Sequence, residues 1–237
     1  MSEITDLQNI RVPSCVGLII DGNRRYAREN NISPERAHYV GYERLKEFVT
    51  WAKDIGVKTL IVYTFSTENW SRSKEEVDVL MDLIRMTLTT ELDQLVQKNV
   101  RLRIIGDVKR FPDDIQEMIV KAEEKTASGT EGTLALALSY GGRAEIFSAV
   151  QKFAALSKEE QERLTEKEFS KLLWTHDLQD PEIIIRTGGN QRLSNFLPWQ
   201  STYSELYFTP TMWPAFTKEE FLEILKAYSA VVQNNGK

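Results

Sequence analysis

Val16-Gly17-Leu18-Ile19-Ile20-Asp21-Gly22-Asn23-Arg24-Arg25 is a short apolar run that ends abruptly in a carboxylate, a glycine, an amide and two bases. Val16 to Ile20 has the length and composition of a buried strand. Asp21-Gly22-Asn23 favours a sharp turn, and Arg24, Arg25 and Arg28 place three positive side chains just beyond it. Aspartate holds hard divalent cations, glycine lets the backbone approach a ligand closely, and arginine forks onto phosphate oxygens. The same residues also suit a plain surface turn with a solvated basic helix start, so the stretch alone leaves both readings open.

At 237 residues the chain can bury a sizeable core as one α/β domain. Hydrophobic residues make up 41% and charged residues 27%, the balance of a soluble globular protein. A net charge of −5 gives no footprint for nucleic acid, so the arginines near Asp21 form a local positive site on an acidic chain. Cys15 is the sole cysteine, which excludes an internal disulfide and a cysteine cluster for zinc. No apolar run reaches the ~18 residues of a membrane span, and the polar amino terminus is no signal peptide. A cytoplasmic location is expected, with attachment to a membrane surface left open.

Outward from the first strand, apolar runs recur over 59–65, 101–105, 133–139, 183–185 and 205–208. Helical spacing separates them. Leu45, Phe48, Val49 and Ala52 predict a helix over 39–55, and the polar segment 28–38, with Pro34 inside it, reads as a loop or broken helix. Ser73-Lys74-Glu75-Glu76 is a capping box opening one long amphipathic helix, 76–96, through Leu80, Ile84, Leu88 and Leu92. Further helices are predicted over 112–126 and 144–155, followed by a charged helical stretch to Trp174 and a last helix capped by Thr217-Lys218-Glu219-Glu220. Such alternation argues for a single domain over 1–237 with a mostly parallel central sheet of about six strands flanked by helices. Residues 1–13 and 233–237 are expected to be flexible.

The polar motifs all follow strand ends: Asp21 to Asn23, Ser66 to Arg72, Gly106-Asp107, Tyr140 to Arg143 and Arg186 to Asn190. In a parallel sheet those ends share one edge, where ligands bind and helix amino termini favour anions. Asp21, Asn69, Arg72, Arg143, Arg186 and Arg192 are therefore placed around one crevice, a set suited to a charged phosphate ester and Mg2+. The helix 76–96 either borders a hydrocarbon-lined pocket there or simply packs the core; its periodicity fits both. Signatures of P-loop nucleotidases, dinucleotide enzymes, zincins and α/β-hydrolases are absent. An α/β phosphatase would need an evident nucleophile or base, and none stands out. Of the two histidines, His38 in the basic segment is the better site candidate than His176.

With those residues in hand, the sequence closely resembles the cis-prenyltransferases, the undecaprenyl and dehydrodolichyl diphosphate synthases, over about residues 14 to 222. The resemblance rests on Asp21-Gly-Asn-Arg-Arg-Tyr-Ala, His38-x-x-Gly41, Phe65-Ser-Thr-Glu-Asn-Trp-Ser-Arg72, Tyr140-Gly-Gly-Arg143, Arg186-Thr-Gly-Gly, Arg192-Leu-Ser-Asn-Phe-Leu, Trp199-Gln and Tyr203-Ser-Glu205-Leu. It implies a fold with a hydrophobic tunnel and successive condensation of isopentenyl diphosphate onto an allylic diphosphate such as farnesyl diphosphate, each new double bond being cis. It further implies that Asp21 and Glu205 are carboxylates for Mg2+. Arg25, Arg186, Arg192, Leu193 and Ser194 belong to the implied isopentenyl diphosphate site. Gly22, Asn23, Arg24, Tyr26 and His38 belong to the allylic site. Asn69 is implicated in proton removal, with Ser66, Thr67, Glu68, Trp70 and Arg72 beside it. The competing implication is a non-catalytic partner or binding subunit on the same fold, which would be expected to lose the metal carboxylate.

Three positions depart from the family pattern. Pro34 stands where a basic phosphate ligand is usual, with Arg36 the candidate replacement, and Asn190 replaces a usual glutamate. The carboxyl terminus reads Val232-Gln-Asn-Asn-Gly-Lys237 where homodimeric members carry Arg-x-Gly. The expected assembly is a homodimer, or a heterodimer with a related subunit that carries that motif. Peripheral membrane association for product release is a further expectation.

Overall fold

The computed structural model describes residues 10–231. Among them, β1 (Cys15–Ile19), β2 (Thr59–Ser66), β3 (Val100–Ile105), β4 (Gly132–Tyr140), β5 (Ile183–Arg186) and β6 (Glu205–Phe208) form one sheet in the order β3-β4-β2-β1-β5-β6. Every neighbouring pair is parallel. All carboxyl ends therefore lie along one edge. Every residue of β1 and β5 is buried, which is why both read as unbroken apolar runs rather than as an alternation.

Each sheet face carries its own core. Leu18, Val62, Leu102, Leu136 and Ile185 face one side with Phe48, Leu88, Ile115 and the aromatic group Trp213, Phe216 and Phe221. Ile19, Tyr63, Ala137, Ile184, Phe196 and Leu197 face the other. The covering helices are α1 (Asn23–Glu29), α2 (Pro34–Ile55), α3 (Lys74–Thr89), α4 (Leu92–Gln97), α5 (Asp113–Thr126), α6 (Gly142–Ala154), α7 (Lys158–Arg163), α8 (Glu166–Ser170) and α9 (Lys218–Ala230).

Two helix expectations change. The segment 28–38 is the broken helix of the two alternatives, with residues 30–33 turning between α1 and α2, and the helix expected over 39–55 begins earlier. α1 starts directly at Asn23, and α2 starts at Pro34, with the Ser33 side chain accepting the Arg36 amide. Pro34 occupies the first helical turn, where its missing N–H costs nothing and its fixed φ suits the helix. The predicted helix 76–96 is two helices, α3 and α4, broken after Thr89. Arg11, within the stretch expected to be flexible, donates its amide to Ser229 Oγ at 2.9 Å and stacks its guanidinium 4.5 Å from the Tyr228 ring centroid. The expectations for residues 1–9 and for the tail 232–237 lie outside the described residues. Among the described residues, no helix is long and apolar enough to cross a membrane.

Candidate active site

β1 ends where its backbone must turn sharply into α1. Gly22 takes a φ of 113°, and a Cβ there would sit 2.9 Å from Met212. Only glycine combines that angle with that proximity. The turn leaves Asp21 at the sheet edge beside the end of β5. Asp21 Oδ2 accepts hydrogen bonds from Arg186 Nη2 and Asn190 Nδ2, both at 2.8 Å, while Arg25 Nη2 stands 3.5 Å from Oδ1. Burial acts to raise the Asp21 carboxyl, but the hydrogen bonds from Arg186 and Asn190, with the charges of Arg186 and Arg25, outweigh it. The carboxyl is held below its ordinary value and is ionised at neutral pH.

Arg186 itself is almost wholly enclosed. Its Nη1 donates to Ser194 Oγ at 2.7 Å and to the carbonyl of Arg192. Of the four buried side-chain polar atoms without a hydrogen-bond partner among the described residues, three stand here: Arg186 Nε, Arg25 Nη2 and Asn23 Oδ1. Unpaired buried donors are costly; Arg186 Nε without a hydrogen bond, and Arg25 Nη2 with only the 3.5 Å ion pair to Asp21, point to an anion as the further partner.

One cavity of about 810 Å³ opens among these groups and continues inward. Its polar rim includes Asp21, Gly22, Asn23, Arg24, Arg25, His38, Ser66, Asn69, Arg72, Arg186, Arg192 and Ser194, twelve of the residues expected from the sequence. Its inner wall is apolar: Leu45 of α2, Leu80, Leu83, Ile84 and Leu88 of α3, and Leu136 and Leu138 of β4.

At the rim, Asn69 closes the turn after β2. Its Oδ1 accepts the Ser66 amide at 3.0 Å, so the group Asn69 can offer a ligand is its Nδ2 donor. His38 is buried, which acts to lower its pKa; Glu76 opposes that shift by hydrogen bond and charge, and the Arg72 charge adds to it. The result lies below 6.5, so the imidazole is neutral at pH 7. Glu76 Oε1 bridges the pair, 3.4 Å from His38 Nε2 and 2.7 Å from Arg72 Nη1. The sequence presented Glu76 only as half of a capping box. Ser73 does cap the Glu76 amide, but the carboxylate turns to the Arg72 guanidinium, a stronger partner than a backbone N–H.

Other expected residues fall elsewhere. Arg143 is exposed and outside the cavity lining, because the amino terminus of α6 is turned toward Asn195. Trp70 donates Nε1 to Ser139 Oγ and packs its ring between Phe65 and Phe111, a structural position. Tyr26, Thr67, Glu68 and Leu193 do not line the cavity; Leu193 joins the second core. Glu205 opens β6 level with Ile183 and Val16, hence about 16 Å along the strands from Asp21 at ~3.3 Å per residue. Within one chain the two carboxylates therefore do not meet at one metal. Asn190, which stands where a glutamate is usual, holds Asp21 directly. Arg28 lines the cavity where Arg36, exposed on α2, does not. Periodicity could have pointed to Tyr42 and Leu45 on α2 as cavity residues, but it does not separate cavity from core.

Among the described residues no group of three or more His, Cys, Asp or Glu side chains comes together as a metal cage. A single ionised aspartate beside anion-binding donors does fit Mg2+, which is commonly held by one or two carboxylates together with substrate phosphates and water.

A family model described as "Putative undecaprenyl diphosphate synthase" matches residues 19–236. The chain is 42% identical over 221 residues to the ditrans,polycis-undecaprenyl-diphosphate synthase ((2E,6E)-farnesyl-diphosphate specific) of Micrococcus luteus, covering 92% of this chain and 89% of that protein. It is 39% identical over 230 residues to the tritrans,polycis-undecaprenyl-diphosphate synthase (geranylgeranyl-diphosphate specific) of Picrophilus torridus, covering 95% and 90%. Among solved structures, lavandulyl diphosphate synthase from Lavandula x intermedia, in complex with dimethylallyl diphosphate, superposes with a TM-score of 0.91 at 33% identity, covering 95% of this chain and 99% of that one.

Proposed function

The chain belongs to the undecaprenyl diphosphate synthase family of cis-prenyltransferases, and on that premise we propose that the cavity described above holds two diphosphates at the rim and the growing hydrocarbon within. The observation that carries this reading is the continuity of that cavity, from Asp21, Arg25 and Arg186 at the sheet edge to Leu80, Ile84 and Leu88 inside. The retained Asp21, Asn69 and Arg186 favour a catalyst over a non-catalytic partner subunit.

The reaction breaks the allylic C–O bond, with the electron pair leaving on diphosphate. The double bond of isopentenyl diphosphate then forms a C–C bond to the allylic carbon, and a proton is lost. Asp21 would hold Mg2+, which when bound would supply Lewis-acid stabilisation of the departing diphosphate. Arg25, Arg186, Arg192 and Ser194 grip isopentenyl diphosphate and fix its double bond near the allylic carbon, turning a bimolecular encounter into an oriented one. Gly22, Asn23, Arg24 and His38 cradle the allylic diphosphate, and the Arg25 and Arg186 N–H groups without a hydrogen bond gain acceptors on binding. Arg28 takes the place of the base that Pro34 lacks. Asn69 offers an amide donor, not a base, and directs the departing proton toward diphosphate or water. The apolar wall excludes water from the elongating chain.

The two relatives described above differ in the allylic diphosphate they use, so the test supplies both primers. Purified protein is incubated with Mg2+, labelled isopentenyl diphosphate and either farnesyl or geranylgeranyl diphosphate, and the products are resolved by length and double-bond geometry. Elongation with cis geometry is expected; no product from either primer, or trans products, would overturn the assignment.

A further inference from the structure

Asn195 lies outside the cavity lining and has no assigned part in the reaction, yet it sits in one of the most constrained stretches of backbone. Ser194, Asn195 and Leu197 all take positive φ, at 48°, 68° and 49°. Left-handed backbone is costly for residues other than glycine, and it persists where the surroundings over-determine it. Those surroundings are the Tyr140-Gly141-Gly142-Arg143 motif. The Gly142 amide donates to the Asn195 carbonyl at 2.7 Å, and the Arg143 amide to Asn195 Oδ1 at 2.9 Å. Asn195 thus satisfies two of the amides that the first turn of α6 leaves without helical partners. A Cβ on Gly141 would stand 2.8 Å from both Asn195 Nδ2 and Thr67 Oγ1, and one on Gly142 would meet Pro198 at 2.0 Å. Both glycines are needed for that closeness.

The third contact leads to the site. Asn195 Nδ2 points to Glu68 Oε1, 3.4 Å away, in the turn that carries Asn69. One residue earlier, Ser194 Oγ receives Arg186 Nη1, and Arg186 in turn binds Asp21. We propose that Asn195 is a positioning residue for condensation: it clips the Arg192–Ser194 loop to the start of α6 and to Glu68, and so sets where Arg186 and Ser194 meet isopentenyl diphosphate. This rests on the cis-prenyltransferase reading above, and it gives the Tyr-Gly-Gly-Arg motif a task that its exposed arginine does not perform.

The test is Asn195→Asp. Aspartate tolerates positive φ and keeps an acceptor for the Arg143 amide, and a negative charge is favourable at a helix amino terminus. It also replaces the amide facing Glu68 with a second carboxylate. Glu68 is ionised at neutral pH: burial acts to raise its pKa, but hydrogen bonds from its own backbone, Ser66, Thr67 and Asn195 hold it low. A merely structural cap therefore predicts unchanged or higher thermal stability with unchanged kinetics. The proposal predicts unchanged or higher stability together with a KM for isopentenyl diphosphate raised about tenfold, in line with losing one hydrogen bond to a charged group. The allylic KM stays within about twofold. Adding Glu68→Gln to Asn195→Asp removes the repulsion and restores a donor, so most of the KM defect is recovered. Asn195→Gly, which relieves the strained φ but drops the side chain, raises the same KM. Active wild-type protein with the Asn195→Asp KM unmoved, or a double variant no better than the single, overturns the inference. Wild-type protein that makes no product from any allylic primer overturns the functional reading instead.

Discussion

Asp21 and Arg186 terminate neighbouring parallel strands, and a 2.8 Å hydrogen-bonded ion pair joins them across the sheet edge. The register of β1 and β5, which pairs Ile19 with Arg186, enforces the meeting. The carboxylate proposed to hold Mg2+ is thus held by Arg186 and Asn190, with the Arg25 guanidinium 3.5 Å away. A diphosphate competing for the Arg25 and Arg186 guanidinium groups would free Asp21 for Mg2+, and the predictions below test that exchange.

Asp21→Asn keeps the size of the side chain and an acceptor for Arg186 but removes the charge. Turnover should fall by on the order of a thousandfold, about 4 kcal/mol of lost transition-state stabilisation. The folded chain should persist with a lower melting temperature, because the enclosed Arg186 loses its counter-charge. Steady-state rates at saturating Mg2+ with a parallel melting curve check both. A variant with near-normal rates would remove Asp21 from the mechanism.

Metal uptake should depend on diphosphate. Calorimetric titration with Mg2+ alone is expected to give no saturable site in the micromolar range, since among the described residues Asp21 is the only carboxylate lining the cavity and it already accepts from Arg186 and Asn190. With inorganic diphosphate present, Mg2+ binding should appear, and it should vanish in Asp21→Asn. Tight Mg2+ binding without diphosphate would contradict the exchange described above.

Much of this arrangement was legible in the sequence, for reasons visible at single residues. Apolar runs buried on both faces, such as Ile183 to Ile185, announce parallel strands, and the polar residues after them mark the binding edge. Pro34 signals the break between α1 and α2, but proline inside a polar segment does not say on which side a helix resumes. The break after Thr89 has no glycine or proline to signal it. Arg143 and Glu205 show a deeper limit. Each follows or opens a strand within a motif, but side-chain direction and strand polarity decide whether it reaches the site, and neither is written in spacing. Asn190 and Glu76 escaped because their partners, Asp21 and the His38–Arg72 pair, are fixed only by the tertiary fold.

His38 provides a pH test. Burial lowers its folded-state pKa below 6.5, and the neighbouring charges it faces are Glu76, Glu35 and Arg72. Between the folded and unfolded values the unfolded chain binds more protons, so stability falls as pH drops below about 6.5 and levels off once the folded imidazole is also protonated. Wild-type protein should therefore lose more melting temperature between about pH 7.5 and 5.5 than His38→Gln does. Equal losses would mean that His38 is not buried in its neutral form.

The apolar wall yields a graded prediction. α3 leaves the rim at Ser73 and runs antiparallel to the strands toward Val100, so Leu80, Ile84 and Leu88 lie at successive depths, spanning about 12 Å at ~1.5 Å rise per residue. If hydrocarbon elongates from the rim inward, a bulky side chain blocks it at the depth where it stands. Leu80→Trp should give the shortest products, Ile84→Trp longer ones and Leu88→Trp the longest of the three, all shorter than wild type. The first condensation should survive in each, since Asp21, Arg186 and Ser194 are untouched. Overpacking of this kind typically costs ~1–3 kcal/mol of stability, so melting curves accompany the assay to separate blockage from unfolding. The order is the decisive feature. Product length unchanged in all three folded variants, or shortened without regard to depth, would place the hydrocarbon elsewhere than between α3 and β4.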